Sequence, residues 1–422
     1  MVTCGRHTLT FLTPFWEGFT CWLGNLTIWD LILIFWLFIA VDLTRSIGKP
    51  LFLLTHSLHT KLKPKKPPPA FNPKISVIIP AYNEENAIAK SIESALNADY
   101  DYKEIIVVDD GSKDNTYQRA NFFASDGRIK LVHRDYSSGS KAGALNYGIL
   151  FASGEVLVTV DADTLIEKNA LKEIVQPLSD PDVVAASGKV GILSGENGSK
   201  NLLVRLQEYE YFLAFEVGRP FNSVMGTIMI ISGAFGAFRG REMKNLGQYD
   251  KDTITEDFDL TIKLRKLGKK IVYANKAVAW TLSPFTWKSW RKQRIRWTRG
   301  EAETLWKHRN VLRRRGFDLR SVVSTWDMLF MDVILLVLRA VWFVSLAYMF
   351  SASLVYVLFL SLIMYLVMEM FVVVFAVGHS RRLRDLRHML LIPVMVLIYR
   401  PYYAVIRLKA YFDWLFKKKT EW

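Results

Sequence analysis

Apolar segments long enough to cross a bilayer stand at both ends of this 422-residue chain, with a mainly polar stretch between them. Leu23–Val41 is the first, although Asp30 interrupts it, and Asp327–Phe350 and Ser353–Val377 are two more. A cleaved signal peptide is the alternative for the first segment, but no small-residue cleavage site follows it. We therefore predict a soluble domain inserted between transmembrane α-helices.

Basic residues and shifts of composition indicate the orientation and the boundaries. Arg45, Lys49 and Lys61 follow the first span, whereas only Arg6 precedes it, which predicts that the following residues face the cytoplasm. The last apolar run, Met389–Tyr411, is as compatible with a re-entrant segment as with a full crossing. We divide the chain into an N-terminal interfacial segment (1–22), a transmembrane helix (23–43), a basic Pro-rich linker (44–70), an α/β domain (71–282), interfacial amphipathic helices (283–320), a C-terminal transmembrane region (321–411) and a basic tail (412–422).

Short β-branched runs alternate with amphipathic segments from Ile75 onward. This alternation predicts a mostly parallel sheet that helices cover on both faces. Polar side chains at the carboxyl ends of such strands are the first candidates for a functional site. The predicted strands are Ile75–Pro80, Glu104–Val108, Ile129–His133 and Glu155–Val160, and the helices between them are Glu84–Leu96, Asn115–Ala124 and Ala142–Ala152.

The positive charge of the chain is concentrated in residues 261–320. The net charge of the whole chain is +15 and its pI is about 9.6, which indicates an anionic partner. Nucleic acid, anionic lipid headgroups and a phosphorylated substrate are the candidates. Because the basic segment adjoins the apolar spans, we expect membrane lipids to supply the counter-charge, and we expect no nucleic acid.

Asp161 and Asp163 follow a predicted strand. If the strand continues through them, residues two apart point to one face, where their carboxylates can bind a divalent cation that neutralises a diphosphate. A surface loop is the alternative for so short a motif, but the apolar strand before it favours the functional interpretation.

Asp109 and Asp110 close another predicted strand and precede Gly111 and Ser112. One interpretation is a turn in which Asp or Ser caps the next helix. The other is a carboxylate that accepts a hydrogen bond from a pyrimidine base.

Thr255-Glu256-Asp257 precedes a predicted helix over Asp259–Leu267. Asp257 is a candidate general base, because a hydroxyl that attacks a sugar carbon must lose its proton. A helix cap with acids in the first turn is fully compatible with that role.

Gln293–Trp297 (QRIRW) is the most specific of these motifs. Arg296 can hold diphosphate oxygens in a bidentate way, and Trp297 offers a flat face for a sugar ring. An interfacial helix with snorkelling Arg and Trp is the alternative. Lys141, in the loop sequence SSGSKAG, is a second candidate phosphate ligand, although a plain flexible loop is nearly as compatible.

The order of these motifs resembles that of the processive membrane glycosyltransferases of family 2, which include cellulose, chitin, hyaluronan and poly-N-acetylglucosamine synthases. Pro80–Glu84 and then DDGS, DAD, TED and QRIRW follow one another within residues 74–310. The phrases TITEDFDLTIKL and KQRIRW are most similar to the bacterial poly-N-acetylglucosamine synthases. One departure is a single evident N-terminal span where those relatives often have two.

The resemblance implies a cytoplasmic GT-A catalytic domain and an inverting transfer that depends on Mg²⁺ or Mn²⁺. It implies that the catalytic residues are Asp257, Glu256 and Asp163, and that the metal ligands are Asp161 and Asp163. The residues that it places at the UDP-sugar donor are Tyr82, Glu84, Asp109, Asp110, Lys141, Asp161, Gln293 and Arg296. Those that it places beside the acceptor are Trp297, Ser232 and Gly233.

The function that follows is polymerisation of a β-linked polysaccharide containing N-acetylglucosamine, with translocation through the enzyme's own membrane helices. A non-processive transferase that glycosylates a membrane lipid is the alternative. A third is an export subunit with an inactive catalytic domain, against which the intact acidic motifs count. We expect an integral protein of the plasma membrane whose partners are the UDP-sugar donor, the growing polysaccharide or lipid acceptor, and membrane lipids.

Overall fold

The computed structural model describes residues 13–62, 71–193, 200–313, 317–380 and 382–416. Its strands are β1 (Ile75–Ala81), β2 (Lys103–Asp109), β3 (Lys130–His133), β4 (Val156–Val160), β5 (Thr164–Ile166), β6 (Val183–Ile192), β7 (Phe235–Arg239) and β8 (Lys270–Thr281). Its α-helices are α1 (Thr13–Gly24), α2 (Ile28–Leu37), α3 (Thr44–Leu62), α4 (Ile88–Leu96), α5 (Thr116–Ser125), α6 (Lys141–Leu150), α7 (Ala170–Val175), α8 (Leu202–Leu213), α9 (Arg219–Met225), α10 (Gly240–Asn245), α11 (Glu256–Arg265), α12 (Trp287–Lys307), α13 (Leu319–Leu329), α14 (Leu335–Met349), α15 (Leu354–Ser380), α16 (Ile392–Val394) and α17 (Arg400–Leu415). The chain forms two compact units, one of residues 1–56 and 329–398 and the other of residues 57–328 and 399–422.

The strands β1–β8 form one sheet in the order β3-β2-β1-β4-β7-β6-β8-β5. The first four pair in parallel, as the alternating pattern predicts. β7 lies antiparallel to both β4 and β6, and β5 is antiparallel to β8, so the whole sheet is mixed. Apolar side chains fill both faces, with Val77 and Ile79 in one core cluster and Ile78 in the other, because successive residues of a strand point to opposite sides.

The helix predicted from Glu84 begins four residues later, at Ile88. The preceding residues form a loop because Asn83 adopts a left-handed backbone conformation with φ of 56°. The Glu84 N–H donates to Thr116 Oγ1 at 2.7 Å, which ties this loop to the start of α5. The loop therefore holds Glu84 at the carboxyl end of β1.

The predicted linker over residues 44–70 is wrong in its first part, since residues 44–62 form α3, and residues 63–70 lie outside the described residues. Thr27 caps α2, and a π-helical turn, Phe38–Leu43, joins α2 to α3 in one continuous helix. Pro50 lies within α3 without ending it. Basic side chains are well tolerated in helices, so the lysines that indicated a linker do not stop one.

Three helices are long and apolar enough to cross a membrane, judged by length and composition within the described residues: Ile28–Leu62, Ser351–Ser380 and Leu383–Leu415. Leu335–Met349 is a shorter apolar helix. In the first unit the carboxylate of Asp42, in the π-helical turn, pairs with Arg339 and accepts a hydrogen bond from the Tyr365 hydroxyl at 2.6 Å. The Asp42 carboxylate is thus neutralised within the unit, as charges in membrane helices usually are.

Candidate active site

The predicted polar side chains follow β1, β2 and β4 at one edge of the sheet. Because these strands are parallel, their carboxyl ends meet there. Asp161 and Asp163 lie in a turn after β4 and not in an extended strand, since the Thr164 N–H donates to the Asp161 carbonyl at 3.0 Å. The predicted strand geometry for this pair is therefore wrong, but the turn still keeps the two carboxylates close enough to interact.

Lys141 is the cation at the centre of this edge. Ser140 caps α6 by accepting from the Gly143 N–H, which places Lys141 at the first position of the helix. Its ammonium pairs with Asp161, lies 3.8 Å from Glu256 Oε1 and donates to the Gly233 carbonyl at 3.4 Å. Burial alone would lower the pKa of Lys141, but the two carboxylates raise it above its ordinary value, so the side chain stays charged.

Asp257 lies beside Lys141 in the first turn of α11, where the helix dipole favours a carboxylate. Its oxygens accept hydrogen bonds from the N–H of Phe258 at 2.8 Å and of Gly233 at 3.2 Å. A Cβ on Gly233 would lie 3.1 Å from Lys141 Nζ and 3.4 Å from Asp257 Oδ2. The lack of a side chain at Gly233 therefore allows the loop before β7 to approach both charged groups closely.

Carboxylates outnumber cations at this site. Burial raises the pKa of Asp257 and of Glu256, against the lowering effect of Lys141. Burial also raises the pKa of Glu84, to about 7, and the charges of Asp163 and Asp161 add to the shift. We call these five acids together with Lys141 the acidic cluster.

The acidic cluster suits a divalent cation. Within the described ranges, no group of three or more His, Cys, Asp or Glu side chains is placed to hold a metal by itself. Asp161 and Asp163 are the two carboxylates that could hold it, with the remaining positions left to other ligands. This donor set fits Mg²⁺ or Mn²⁺, because Mg²⁺ is usually bound by one or two carboxylates plus substrate phosphates and water.

Asp109 and Asp110 both have protein partners. Asp109 is fully buried and lies 2.7 Å from His133 Nδ1. Asp110 accepts from the hydroxyls of Ser137 and Ser138 at 2.9 and 2.8 Å, and from the Ser138 N–H at 2.8 Å. Asp110 thereby fixes the loop that leads to Lys141, so that loop is held in place rather than plainly flexible.

The other residues predicted to contact the sugar donor or the acceptor are exposed or only partly buried. Tyr82 is 46% exposed at the rim of the same edge. Ser232 precedes Gly233, and its N–H donates to Ser187 Oγ at 3.4 Å. In α12, Gln293 is partly buried and Arg296 is exposed.

The arginine that α12 buries is Arg294, which the sequence analysis did not select. Its guanidinium is only 2% exposed and pairs with Glu210 of α8 at 2.7 Å. Its Cζ lies 4.3 Å from the centre of the Trp297 ring. Trp290, Arg294 and Trp297 are spaced as one face of a helix, and this periodicity is the signal that could have identified the buried arginine.

Tyr211 connects the Arg294 side of the domain with the acidic cluster. Burial raises the pKa of Tyr211 to about 12, and the charges of Arg294, Glu210 and Asp163 all act on it. Burial lowers the pKa of Arg219, and the charge of Asp257 partly offsets this effect. The charges of Arg294 and of Asp163 therefore both act on Tyr211.

Close packing fixes α12 on the start of α11. A Cβ on Gly300 would lie 2.5 Å from Thr255 Cγ2, and the hydroxyls of Thr255 and Thr304 are 3.1 Å apart. Near the end of α12, His308 Nε2 lies 2.8 Å from Asp259 Oδ1. These contacts hold the helix that carries Asp257 against the helix that carries Trp297.

Residues 76–242 match the family described as Glycosyl transferase family 2. The chain is 34% identical over 232 residues to a poly-beta-1,6-N-acetyl-D-glucosamine synthase of Staphylococcus epidermidis, and 32% identical over 232 residues to one of Staphylococcus aureus. Each match covers 55% of this chain and 55% of the relative. This chain therefore spans about half the length of these curated relatives.

The fold is similar to that of a mannosyltransferase from Pyrobaculum calidifontis, solved in complex with GDP-Man and Mn²⁺. The two superpose with a TM-score of 0.59 at 20% identity, over 91% of this chain and 99% of that one. The predicted fold class, a GT-A α/β domain combined with long apolar helices, is confirmed.

Proposed function

We propose that this chain is an inverting glycosyltransferase that polymerises a β-linked, N-acetylglucosamine-containing polysaccharide from a UDP-sugar at a membrane. The observation that carries the proposal is the convergence of Asp161, Lys141 and Asp257 around Gly233, at the carboxyl ends of the parallel strands. The names of the curated relatives support the choice of sugar. The apolar helices and the basic residues after the first of them support an integral membrane protein with a cytoplasmic catalytic domain.

In this proposal the protein holds the donor through its charged groups. Asp161 and Asp163 would hold Mg²⁺ or Mn²⁺, which supplies positive charge against the diphosphate. Lys141 lies beside them and offers a second positive charge to the phosphates. Lys141 and a bound metal ion would together stabilise the negative charge that develops on the departing UDP.

Asp257 acts as the general base in this proposal. The acceptor hydroxyl oxygen bonds to the anomeric carbon, the bond from that carbon to the phosphate oxygen breaks, and the hydroxyl proton passes to an Asp257 oxygen. The raised pKa of Asp257 makes it a better proton acceptor than an ordinary aspartate. Attack opposite to the leaving UDP inverts the anomeric carbon, which gives a β-linkage from an α-linked donor.

The test is an assay of isolated membranes with UDP-N-acetylglucosamine and Mg²⁺ or Mn²⁺. We expect release of UDP and a ladder of long products that a β-1,6-specific hydrolase degrades. A single modified lipid in place of the ladder would favour the non-processive alternative. If the membranes release no UDP from this donor and other UDP-sugars are turned over, the proposed sugar is wrong.

A further inference from the structure

Arg294 is buried where the α12 face meets α8 and α17. Its guanidinium donates to Glu210 Oε2 at 2.7 Å, and the same oxygen accepts a hydrogen bond from the Tyr399 hydroxyl at 2.6 Å. The Tyr399 hydroxyl in turn accepts from Trp290 Nε1 at 3.0 Å. We call these four residues together with Trp297 the arginine cluster.

The positive charge of Arg294 is directed at aromatic rings. Its Cζ lies 4.3 Å from the centre of the Trp297 ring and 5.6 Å from that of Trp290. Burial alone would lower the pKa of Arg294, but the charge of Glu210 raises it above its ordinary value, so the guanidinium remains protonated. Desolvated contacts between a cation and an indole are among the stronger ones of their kind.

We propose that Arg294 is a positioning residue for the Trp297 ring, and that Glu210 and Tyr399 fix Arg294 in place. Trp297 follows Arg294 by three residues and lies on the same helix face, so the orientation of the Trp297 ring depends on the guanidinium beneath it. Tyr399 directly precedes α17, so the segment carrying Tyr399 also contributes to the position of Trp297. That Trp297 lies under an acceptor sugar rests on the proposed function, but its dependence on Arg294 does not.

The ring position can be observed without any activity. The chain has 13 tryptophans, and labelling with 5-fluorotryptophan gives a ¹⁹F signal for each in the purified full-length protein. Trp297→Phe removes one of these signals and thereby identifies the signal of Trp297. We expect that Glu210→Gln and Arg294→Lys shift or broaden the Trp297 signal, and that Tyr399→Phe does so to a smaller extent.

Arg291→Lys is the matched control, because Arg291 is exposed on the same helix. It should leave the Trp297 signal unchanged. Retention of the wild-type Trp297 signal in a folded Glu210→Gln protein would overturn the proposal. If Glu210→Gln does not fold, Arg294→Lys and Tyr399→Phe give the same decision, since each keeps most of the packing.

Kinetics then show whether this position matters for the acceptor. With added N-acetylglucosamine oligosaccharides, Arg294→Lys should raise the acceptor KM about tenfold and leave the donor KM unchanged. An equal rise in both values would indicate a merely structural role. If the wild-type membranes make no polymer, the proposed function fails, while the ¹⁹F result still decides the positioning role.

Discussion

The acidic cluster and the arginine cluster lie in the same unit but balance their charges in opposite ways. The acidic cluster has five carboxylates and one cation, Lys141, and burial raises the pKa of several of these carboxyl groups. In the arginine cluster one guanidinium faces one carboxylate, and hydrogen bonds to Trp290 and Tyr399 complete the network. The first arrangement leaves an excess of negative charge, whereas in the second one carboxylate matches the guanidinium.

The proposed function assigns the chemistry to the acidic cluster and a structural role to the arginine cluster. Repulsion among buried carboxylates costs folding energy, and such strain is common where a protein binds a metal or moves a proton. A satisfied buried ion pair does neither, but it fixes the elements that carry its members. Substitutions in the two clusters should therefore change activity and stability in opposite proportions.

The largest effect is expected for Asp257→Asn in the acidic cluster. It should lower turnover roughly 10²–10⁴-fold, because the general base is lost, while UDP binding is retained. Measurement of UDP release and of UDP affinity checks both parts. Asp252→Asn, an exposed acid nearby, is the control, and turnover by Asp257→Asn at the level of this control would remove Asp257 from the mechanism.

The next effect concerns stability in the arginine cluster. Glu210→Gln should destabilise the protein by about 2 kcal/mol, because it leaves the Arg294 guanidinium buried without its counter-charge. The cost is smaller than for a fully buried pair, since 27% of the Glu210 side chain is exposed. The midpoint of thermal unfolding measures it, and an unchanged midpoint would mean that the ion pair does not hold α8 and α12 together.

Asp163→Asn should weaken the use of metal in the reaction but stabilise the metal-free protein. We expect the concentration of Mn²⁺ or Mg²⁺ needed for half-maximal activity to rise roughly 10–100-fold, because a proposed metal ligand is lost. Without metal, the same variant should melt at a higher temperature than the wild type, because one repelling carboxylate is removed. Chelation with EDTA should stop the wild-type reaction, and full activity in EDTA would contradict the metal assignment.

Gly233→Ala should produce a smaller loss of activity. Its Cβ would lie 3.1 Å from Lys141 Nζ, so the ammonium must shift by a few tenths of an ångström, and 3.4 Å from Asp257 Oδ2, in van der Waals contact. We expect a loss of about tenfold in kcat, since catalysis depends steeply on position. Gly218→Ala, where no atom lies within 4 Å of the added Cβ, is the matched control and should retain wild-type kcat.

The smallest effect is the pH dependence that arises from Glu84. Burial, and then the charges of Asp163 and Asp161, raise the pKa of Glu84 from 4.5 to about 7, so the folded protein binds a proton that the unfolded chain has released. The resulting stability is fully present below pH 4.5 and is lost as the pH rises through 7. After a reduction for solvent screening, its size is about 1 kcal/mol.

Unfolding midpoints at pH 5 and pH 8 in EDTA test this effect. The unfolding midpoint of Glu84→Gln should differ less between pH 5 and pH 8 than that of the wild type, because the amide does not titrate. Glu93→Gln, an exposed acid on α4, should behave as the wild type does. Equal slopes for Glu84→Gln and the wild type would show that Glu84 does not titrate in this range.

Much of the acidic cluster could be predicted from the sequence because each member lies at the end of a strand or the start of a helix. Apolar runs such as β4 are visible without a structure, and parallel strands bring their carboxyl ends together. The local backbone conformation could not be predicted as well. The turn at Asp161–Asp163 and the left-handed Asn83 depend on hydrogen bonds that no pattern of apolar residues reveals.

The sequence by itself determined the alternating α/β order, the apolar helices and the identity of the charged motifs, because these depend on neighbours in the chain. Only the tertiary structure decided that the partner of the buried Arg294 is Glu210, 84 residues away. It also decided that Gly233 lies between Lys141 and Asp257. Such pairings are fixed by how distant elements pack, and side-chain contacts between distant elements leave no local pattern in the sequence.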